Sequence, residues 1–307
     1  MSLARGLLLR ASRSDWLAGQ LRRRAFVRRA VRRFLPGEDL ADALAAAADC
    51  AGRGIGSVLT QLGEQVRSPA EADAVRDHYL GVLDRIRQQS LPGQLSVKLT
   101  HLGLDADREA CIARVQALAA RADATGSVLW IDMEESRYTD ATLEVFRQVR
   151  ARRVNVGVCL QTYLRRTPAD LAALLPLRPA IRLVKGAYNE PASLAFPHKA
   201  DVDAAYVALA SRLLEAAAGG GGLPVFGTHD FRLIERIRER ARSLGVALGS
   251  YEFHLLYGIR TTEQHALAAA GAKVRVLISY GAAWFAWYMR RLAERPANVW
   301  FVVRSLF

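Results

Sequence analysis

Arg290 and Arg291 are adjacent, and Trp287 and Glu294 stand with them at i, i+3, i+4 and i+7 along a run of good helix formers that ends at Pro296. The four share one helical face that is both aromatic and cationic. Two neighbouring guanidiniums suit a small carboxylate, since each is a planar fork of donors that stays charged at any working pH, and the aromatic can cover an apolar ring. The plainer reading is a solvated arginine pair with Glu294 as a helix salt bridge. Elsewhere, polar residues fall at or just past the ends of apolar runs: Lys98, Asp132, Gln161, Lys185 and Thr228 with His229. Arg182 lies inside such a run, where a charge must be paired or face an open end. Any one of these taken singly is compatible with a satisfied structural network. Five runs ending in the same way point to a shared site.

The elements that must position these residues alternate. Strand-like runs bounded by turns occur at Ile55–Leu62, Leu95–Leu99, Val128–Asp132, Val154–Leu160, Ile181–Lys185, Pro224–Thr228, Leu248–Phe253 and Val274–Ile278. Between them lie amphipathic helical stretches at Ala70–Gln88, Arg108–Ala124, Ala141–Ala151, Ala169–Leu175, Ala200–Ala217, Phe231–Leu244 and Thr262–Ala270, preceded by an Ala-rich helix that Gly37-Glu38-Asp39 caps and that runs to about Ala51. Eight strand–helix alternations favour an α/β fold of the (βα)8 type, a distorted TIM-like barrel, over a doubly wound sheet. In such a barrel the chemistry collects at the C-terminal ends of the strands, where the polar residues fall. The expected organisation is an N-terminal helical arm over residues 1–36 and one (βα)8 catalytic domain over 37–307, with the Arg290-Arg291 helix capping the barrel mouth. Gly219 to Gly222 form a loop tip and not a phosphate loop, because no Lys-Ser/Thr follows. A GxGxxG after a strand is absent too, which argues against a Rossmann nucleotide site.

At 307 residues, half of them hydrophobic, the chain can build one large core. No apolar run approaches the ~20 residues of a membrane span. The net charge of +13 looks like a nucleic-acid signal until it is located: residues 1–33 hold ten arginines against one aspartate, so the body carries only +4. The arm, with Leu17, Leu21, Val27, Ala30, Val31 and Phe34 at helical spacing among its arginines, reads as an amphipathic helix. It either packs on the body with its arginines in water or lies on an anionic membrane surface. A nucleic-acid binder needs stacking aromatics among the arginines, and the arm offers Trp16, Phe26 and Phe34 alone. Cys50, Cys111 and Cys159 are widely spaced, odd in number and without a CxxC, so they read as reduced thiols of a cytosolic protein with no metal site.

Taken in order, seven motifs resemble the proline dehydrogenase family: Ser96-Val97-Lys98-Leu99-Thr100-His101-Leu102-Gly103, Ile131-Asp132-Met133-Glu134, Gly157 to Tyr163, Arg182-Leu183-Val184-Lys185-Gly186-Ala187-Tyr188, Gly227-Thr228-His229-Asp230, Tyr251 to Gly258, and the Arg290-Arg291 helix. No single motif is specific, but the ordered set, from about Arg33 to Asn298, is. The resemblance implies an FAD enzyme that oxidises L-proline to 1-pyrroline-5-carboxylate by hydride transfer to flavin N5. It implies that Lys98, Arg290 and Arg291 hold the substrate carboxylate, that Glu294 pairs with the arginines, and that Leu256 packs on the ring. Arg182 is expected beside flavin N5, and Asp132 is expected to orient the cations and offset their charge. Met133, Gln161, Lys185, Gly186, Ala187, Thr228 and His229 match positions that contact FAD. Membrane quinone is the acceptor that the resemblance implies, with the arm as peripheral contact on the inner face of the membrane and no nucleic-acid partner.

The departures concern the ring pocket. Where the family usually reads Arg-x-Tyr-x-Pro-Tyr-Gly, this chain has Arg275-Val276-Leu277-Ile278-Ser279-Tyr280-Gly281. The expected tyrosine before the arginine pair is Trp287, a common tryptophan is Asn189, and the usual Thr-His-Asn ends in Asp230. These changes suggest a ring specificity loosened or shifted from proline. The rival enzyme class is a Schiff-base lyase or aldolase on the same barrel, with Lys98 or Lys185 as nucleophile.

Overall fold

The computed structural model describes residues 31–285. Eight parallel strands, β1 (Gly56–Gln61), β2 (Gly93–Val97), β3 (Leu129–Ile131), β4 (Val156–Gln161), β5 (Ala180–Val184), β6 (Leu223–Gly227), β7 (Glu252–Leu256) and β8 (Lys273–Tyr280), close in sequence order into a barrel. The last strand pairs with the first, Gly56 beside Arg275 through Gln61 beside Tyr280. Helix α1 (Leu40–Ala51) precedes β1, and α2 (Pro69–Gln88), α3 (Arg108–Asp123), α4 (Thr139–Arg150), α5 (Thr167–Leu174), α6 (Lys199–Ala218), α7 (Phe231–Ser243) and α8 (Thr261–Ala269) follow β1 to β7. The barrel expected from the alternation of runs is the fold of this chain.

Local signals start several helices. Ser68 accepts from the Glu71 backbone N–H at 3.2 Å, Pro69 takes the first turn, and the Glu71 carboxylate accepts from the Arg67 N–H at 2.7 Å. Asp107 and Asp230 cap α3 and α7 in the same way. Asp39 precedes α1 in an extended conformation but makes no side-chain cap, so the capping expected there is positional only.

Strand alternation divides the apolar residues into two sets. Outward residues such as Val274, Val276 and Ile278 join the continuous layer between sheet and helices. Inward residues form a smaller plug: Val58, Trp130, Ala180 and Val225, with Val128, Leu223 and Leu277 packed against it. Trp130 fits because Gly157 stands beside it, where a Cβ would come within 2.6 Å of the indole. Truncating so large a plug residue costs about 3–5 kcal/mol through lost contacts and the cavity left behind.

Helix α1 packs outside β8 and β1, the position that a helix following β8 takes in a regular (βα)8 ring. The chain after β8 is tied there too, since the Trp284 indole donates to Glu38 at 2.8 Å. At the end of the expected arm, Val31 and Leu35 are buried, and Gly258 lies so close that a Cβ on it would overlap the Arg33 carbonyl. The rest of the arm, and the helix bearing Trp287, Arg290, Arg291 and Glu294, lie outside the described residues. No helix among the described residues is long and apolar enough to cross a membrane.

The strand boundaries fall within two residues of expectation except at the seventh strand. The run Leu248–Phe253 was read as the seventh strand, but Leu248–Ser250 is a short 3-10 turn and β7 is Glu252–Leu256. Alternation explains the error, because Glu252 and His254 face the barrel interior and interrupt the hydrophobic run with polar residues.

Candidate active site

The C-terminal end of the barrel gathers a charged cluster from four strands. Asp132, just past β3, is its centre. Its Oδ1 accepts from Ser96 Oγ of β2 at 2.8 Å, from the Arg182 Nη2 of β5, and from Cys159 Sγ of β4 at 3.5 Å. Lys98 Nζ, past β2, stands 3.9 Å from Oδ2. Arg182 also donates through Nη2 to Ser96 Oγ at 2.7 Å and through Nε to Cys159 Sγ at 2.8 Å, and its guanidinium lies 5.0 Å over the Trp130 ring. Alternation makes this possible, because Ser96, Cys159 and Arg182 are all inward positions on neighbouring strands.

The electrostatics follow from the geometry. Burial by itself would push the Asp132 carboxyl up, but the charges of Arg182 and Lys98 and the Ser96 and Cys159 hydrogen bonds outweigh it and hold the group below its ordinary range. Burial pushes the Cys159 thiol up to about 12, so it stays neutral and serves both as acceptor from Arg182 and donor to Asp132. Lys98 and Arg182 therefore face the same carboxylate, and Lys98 also acts on the buried Glu134 beside it.

A second group lines the β4–β7 side. Gln161 ends β4, donating to the Met133 carbonyl at 3.3 Å, while its Oε1 and the Thr162 hydroxyl are buried without a hydrogen-bond partner among the described residues. Gly186 has φ +115, and a Cβ there would meet the Tyr163 ring at 2.3 Å. Its need for glycine thus comes from a left-handed backbone against an aromatic face of the chain itself. Lys185 reaches Asp203 Oδ1 at 2.6 Å and Asp230 Oδ2 at 3.6 Å. The Thr228 hydroxyl accepts from the Asp230 N–H at 3.2 Å. His229 Nε2 accepts from the Leu256 N–H at 2.9 Å, which places the ring proton on Nδ1 and ties the loop after β6 to the end of β7.

Of the residues singled out from the sequence, Lys98, Asp132 and Arg182 converge directly. Met133 and Gln161 adjoin them, and Lys185, Gly186, Ala187, Thr228, His229 and Leu256 follow the ends of β5, β6 and β7. Arg290, Arg291 and Glu294 lie outside the described residues. The sequence reading missed Ser96, Cys159 and Trp130 as cluster members. Strand alternation carried a signal for the first two, since Ser96 is two residues before Lys98 and Cys159 two before Gln161. It also missed Asp203 and Asp230 as partners of Lys185.

Alongside the plug, a second polar group reaches down to the floor. Arg275 Nε donates to Glu252 Oε2 at 2.8 Å and Nη1 to the Pro92 carbonyl at 2.9 Å, and His254 Nε2 lies 3.1 Å from the same Glu252 oxygen. The His254 ring meets Trp130 edge-on at 5.4 Å, and the Trp130 indole N–H donates to Gln94 at 2.7 Å.

A closed parallel barrel whose mouth carries an arginine–aspartate pair and a rim lysine defines a TIM-type barrel with a charged cluster at the end where such barrels carry their chemistry. Comparison with known proteins narrows this. The sequence model of the family described as proline dehydrogenase matches residues 43–304. Proline dehydrogenase of Deinococcus radiodurans is 37% identical over 279 residues, covering 89% of each chain. Proline dehydrogenase 2 of Bacillus subtilis strain 168 is 32% identical over 304 residues, covering 99% of each. Among solved structures, proline utilization A from Bdellovibrio bacteriovorus superposes with a TM-score of 0.82 at 22% identity, over 95% of this chain and 36% of that one. The chain belongs to the proline dehydrogenase family of oxidoreductases.

Proposed function

We propose that this chain is an FAD-dependent enzyme that oxidises L-proline, or a closely related cyclic amino acid, to 1-pyrroline-5-carboxylate, with membrane quinone as the electron acceptor. The observation that carries the reading is the convergence of Lys98 and Arg182 on Asp132 at the mouth. A rim lysine beside a buried guanidinium suits the carboxylate of an amino acid. Lys98, together with Arg290 and Arg291, is assigned to that carboxylate, Glu294 to holding the arginines, and Leu256 to covering the ring.

The residues present fit a flavin. Gln161 Oε1 and Thr162 Oγ1 are buried polar atoms without partners among the described residues, and an amide edge with hydroxyls is the kind of donor and acceptor set that a flavin ring requires. Met133, Gln161, Lys185, Gly186, Ala187, Thr228 and His229 would hold FAD, with Arg182 on its N5 side. When bound, the flavin supplies the hydride acceptor that no side chain offers. The protein's own part is to fix the substrate carboxylate through Lys98, to hold Arg182 rigidly through Asp132, Ser96 and Cys159, and to keep water from the ring with Leu256 and Met133.

The deciding experiment is the visible spectrum of purified protein before and after anaerobic L-proline. Flavin bands bleached by proline are the expected result, and a colourless protein that takes up no added FAD overturns the reading. Replacing Lys98 by alanine is expected to raise the KM for proline roughly tenfold or more, the weight of one charged hydrogen bond. The peripheral contact assigned to residues 1–36 is checked by flotation with anionic liposomes, where protein with and without the arm staying equally soluble refutes it.

A further inference from the structure

The mouth cluster and the floor cluster each end in one unmatched atom, and the two are chemical complements. Arg182 and His254 are both 4% exposed. The Nε and Nη2 of Arg182 are spent on Cys159, Ser96 and Asp132, which come from β4, β2 and β3. Its Nη1, a charged donor, has no hydrogen-bond partner among the described residues. Because the guanidinium is planar and its engaged edge faces β4, the remaining nitrogen is directed to the other side, where β6 and β7 stand. On β7, His254 donates from Nε2 to Glu252, which leaves Nδ1 as a lone-pair acceptor, and this atom also is buried without a partner. Both side chains touch Trp130, the guanidinium over its face and the imidazole against it edge-on. The Arg182 charge weighs against protonation of His254, as expected of neighbours.

The strand between them leaves space. On β6, Gly227 pairs with Val184 on one side and with His254 on the other. A Cβ at Gly227 would stand 2.8 Å from Val184 Cγ1 and 3.9 Å from Arg182 Cγ, so any side chain there would enter the gap between Arg182 and β7. A buried donor and a buried acceptor are each destabilising when left unpaired. Internal waters sit where roughly two to four such groups converge.

We propose that His254 is a positioning residue for Arg182, acting through one internal water that accepts from Arg182 Nη1 and donates to His254 Nδ1 over Gly227. The bridge continues the mouth network through the plug into the Glu252–Arg275 pair. It fixes the third corner of a guanidinium whose other two corners are fixed by Asp132, Ser96 and Cys159.

Two measurements test this. The first uses the unmodified protein: a crystal structure that resolves ordered water is expected to show a peak within hydrogen-bond distance of both Nη1 and Nδ1. Arg182 Nη1 donating instead to a backbone carbonyl, or no density between the two atoms, overturns the proposal, whatever the substrate of the enzyme. The second rests on the proline-oxidising reading and is interpreted only beside wild-type holoenzyme that bleaches with proline, so that failure of that reading shows itself in the control. His254→Phe keeps the ring against Trp130 but removes both nitrogens, and flavin reduction by proline is expected to slow about ten- to a hundredfold with KM within about twofold, as for a misplaced catalytic group. His254→Gln supplies an amide donor for Glu252 and an amide oxygen toward the water, and is expected to restore most of the rate. A Phe variant that reduces at the wild-type rate, or a Gln variant as slow as Phe, refutes the positioning role. Should the Phe variant fail to fold, the Gln variant and the crystallographic measurement still decide.

Discussion

The barrel interior holds the same ion pair twice, an arginine on a carboxylate, at two depths. At the mouth, Arg182 meets Asp132, and at the floor, Arg275 meets Glu252. The floor pair is tied into the chain: the Glu252 oxygen takes both Arg275 and His254, and Arg275 spends its other end on the Pro92 carbonyl. At the mouth the carboxylate is the exposed member, Asp132 at 19%, and it takes a second cation, Lys98, whereas at the floor the arginine is the exposed member, Arg275 at 21%, and Glu252 is enclosed. A pair tied to the backbone at the base suits a structural strut. A pair whose carboxylate faces the mouth beside a second cation suits an anion site. A buried ion pair is weak evidence of stability taken alone, so the difference lies in what else each pair touches.

The sharpest way to break this comparison is to remove the arginine at each level. Arg182→Met leaves Asp132 buried with Lys98 at 3.9 Å as its charged neighbour. Turnover of proline is expected to fall roughly a hundred- to a thousandfold, the cost of losing a preorganised charged donor. Steady-state kinetics on flavin-loaded protein checks it, and a loss below tenfold would return Arg182 to a structural role. The counterpart, Glu252→Gln, removes the floor's negative charge and is expected to lower stability by about 3–5 kcal/mol, as when one partner of a buried pair is deleted. Its kcat is expected to suffer less than that of the Arg182 variant by at least tenfold. Denaturant titration beside kinetics separates the two effects, and equal kinetic damage at both levels erases the distinction between strut and site.

Acid titration sharpens the same contrast. Burial pushes Glu252 up, but the His254 hydrogen bond and the Arg275 charge outweigh it and hold the carboxyl at about 2. Burial lowers His254 to about 4 against the pull of Glu252. For both groups the unfolded chain binds the proton at a higher pH than the folded one, so stability rises with pH across each window. On acidification the His254 contribution is lost from about pH 6.5 down to about 4, and the Glu252 contribution from about 4.5 down to about 2. The thermal midpoint of wild type is therefore expected to fall between pH 6.5 and 4. His254→Gln is expected to flatten that part of the curve. An unchanged slope in the variant would assign the loss to other groups.

The two levels also differ in how far the sequence discloses them. Mouth residues are legible because they interrupt the pattern at the ends of apolar runs. Lys98 and Asp132 each follow a strand and Gln161 ends one, and a strand end in a (βα)8 barrel is where function collects. Floor residues lie inside strands, where period-two alternation reads as half-exposed surface. Glu252 and His254 so disturb the apolar run that the seventh strand is placed four residues early at its start, although the other seven fall within two residues at that end. Cys159 stayed hidden because a cysteine inside a hydrophobic run looks like core, and only the neighbouring strands show that it faces Arg182. Long-range pairings such as Lys185 with Asp203 and Asp230 have no signature in spacing, since the loops after β5 and β6 bring them together.

The smallest expected effect concerns Leu277, which stands between the levels. It is an inward residue of β8, half-buried, packed against the plug that holds Trp130 and level with Val58 of β1 and Leu256 of β7. Relatives by resemblance carry a tyrosine here, whose ring and hydroxyl would extend from this level toward the mouth, whereas leucine stops short and leaves the space beside Leu256 wider. A pocket wall changed by a few carbons alters discrimination between substrates by only about 1–3 kcal/mol. The ratio of kcat/KM for L-proline to that for hydroxyproline or pipecolate is therefore expected to be modest in wild type and to rise by about tenfold or more in Leu277→Tyr, with stability little changed because the position is not fully enclosed. Proline preferred strongly in wild type, with no further gain in the tyrosine variant, would place ring selection on other side chains. The comparison would then reduce to charge at the mouth and packing below it, with no intermediate level reading the ring.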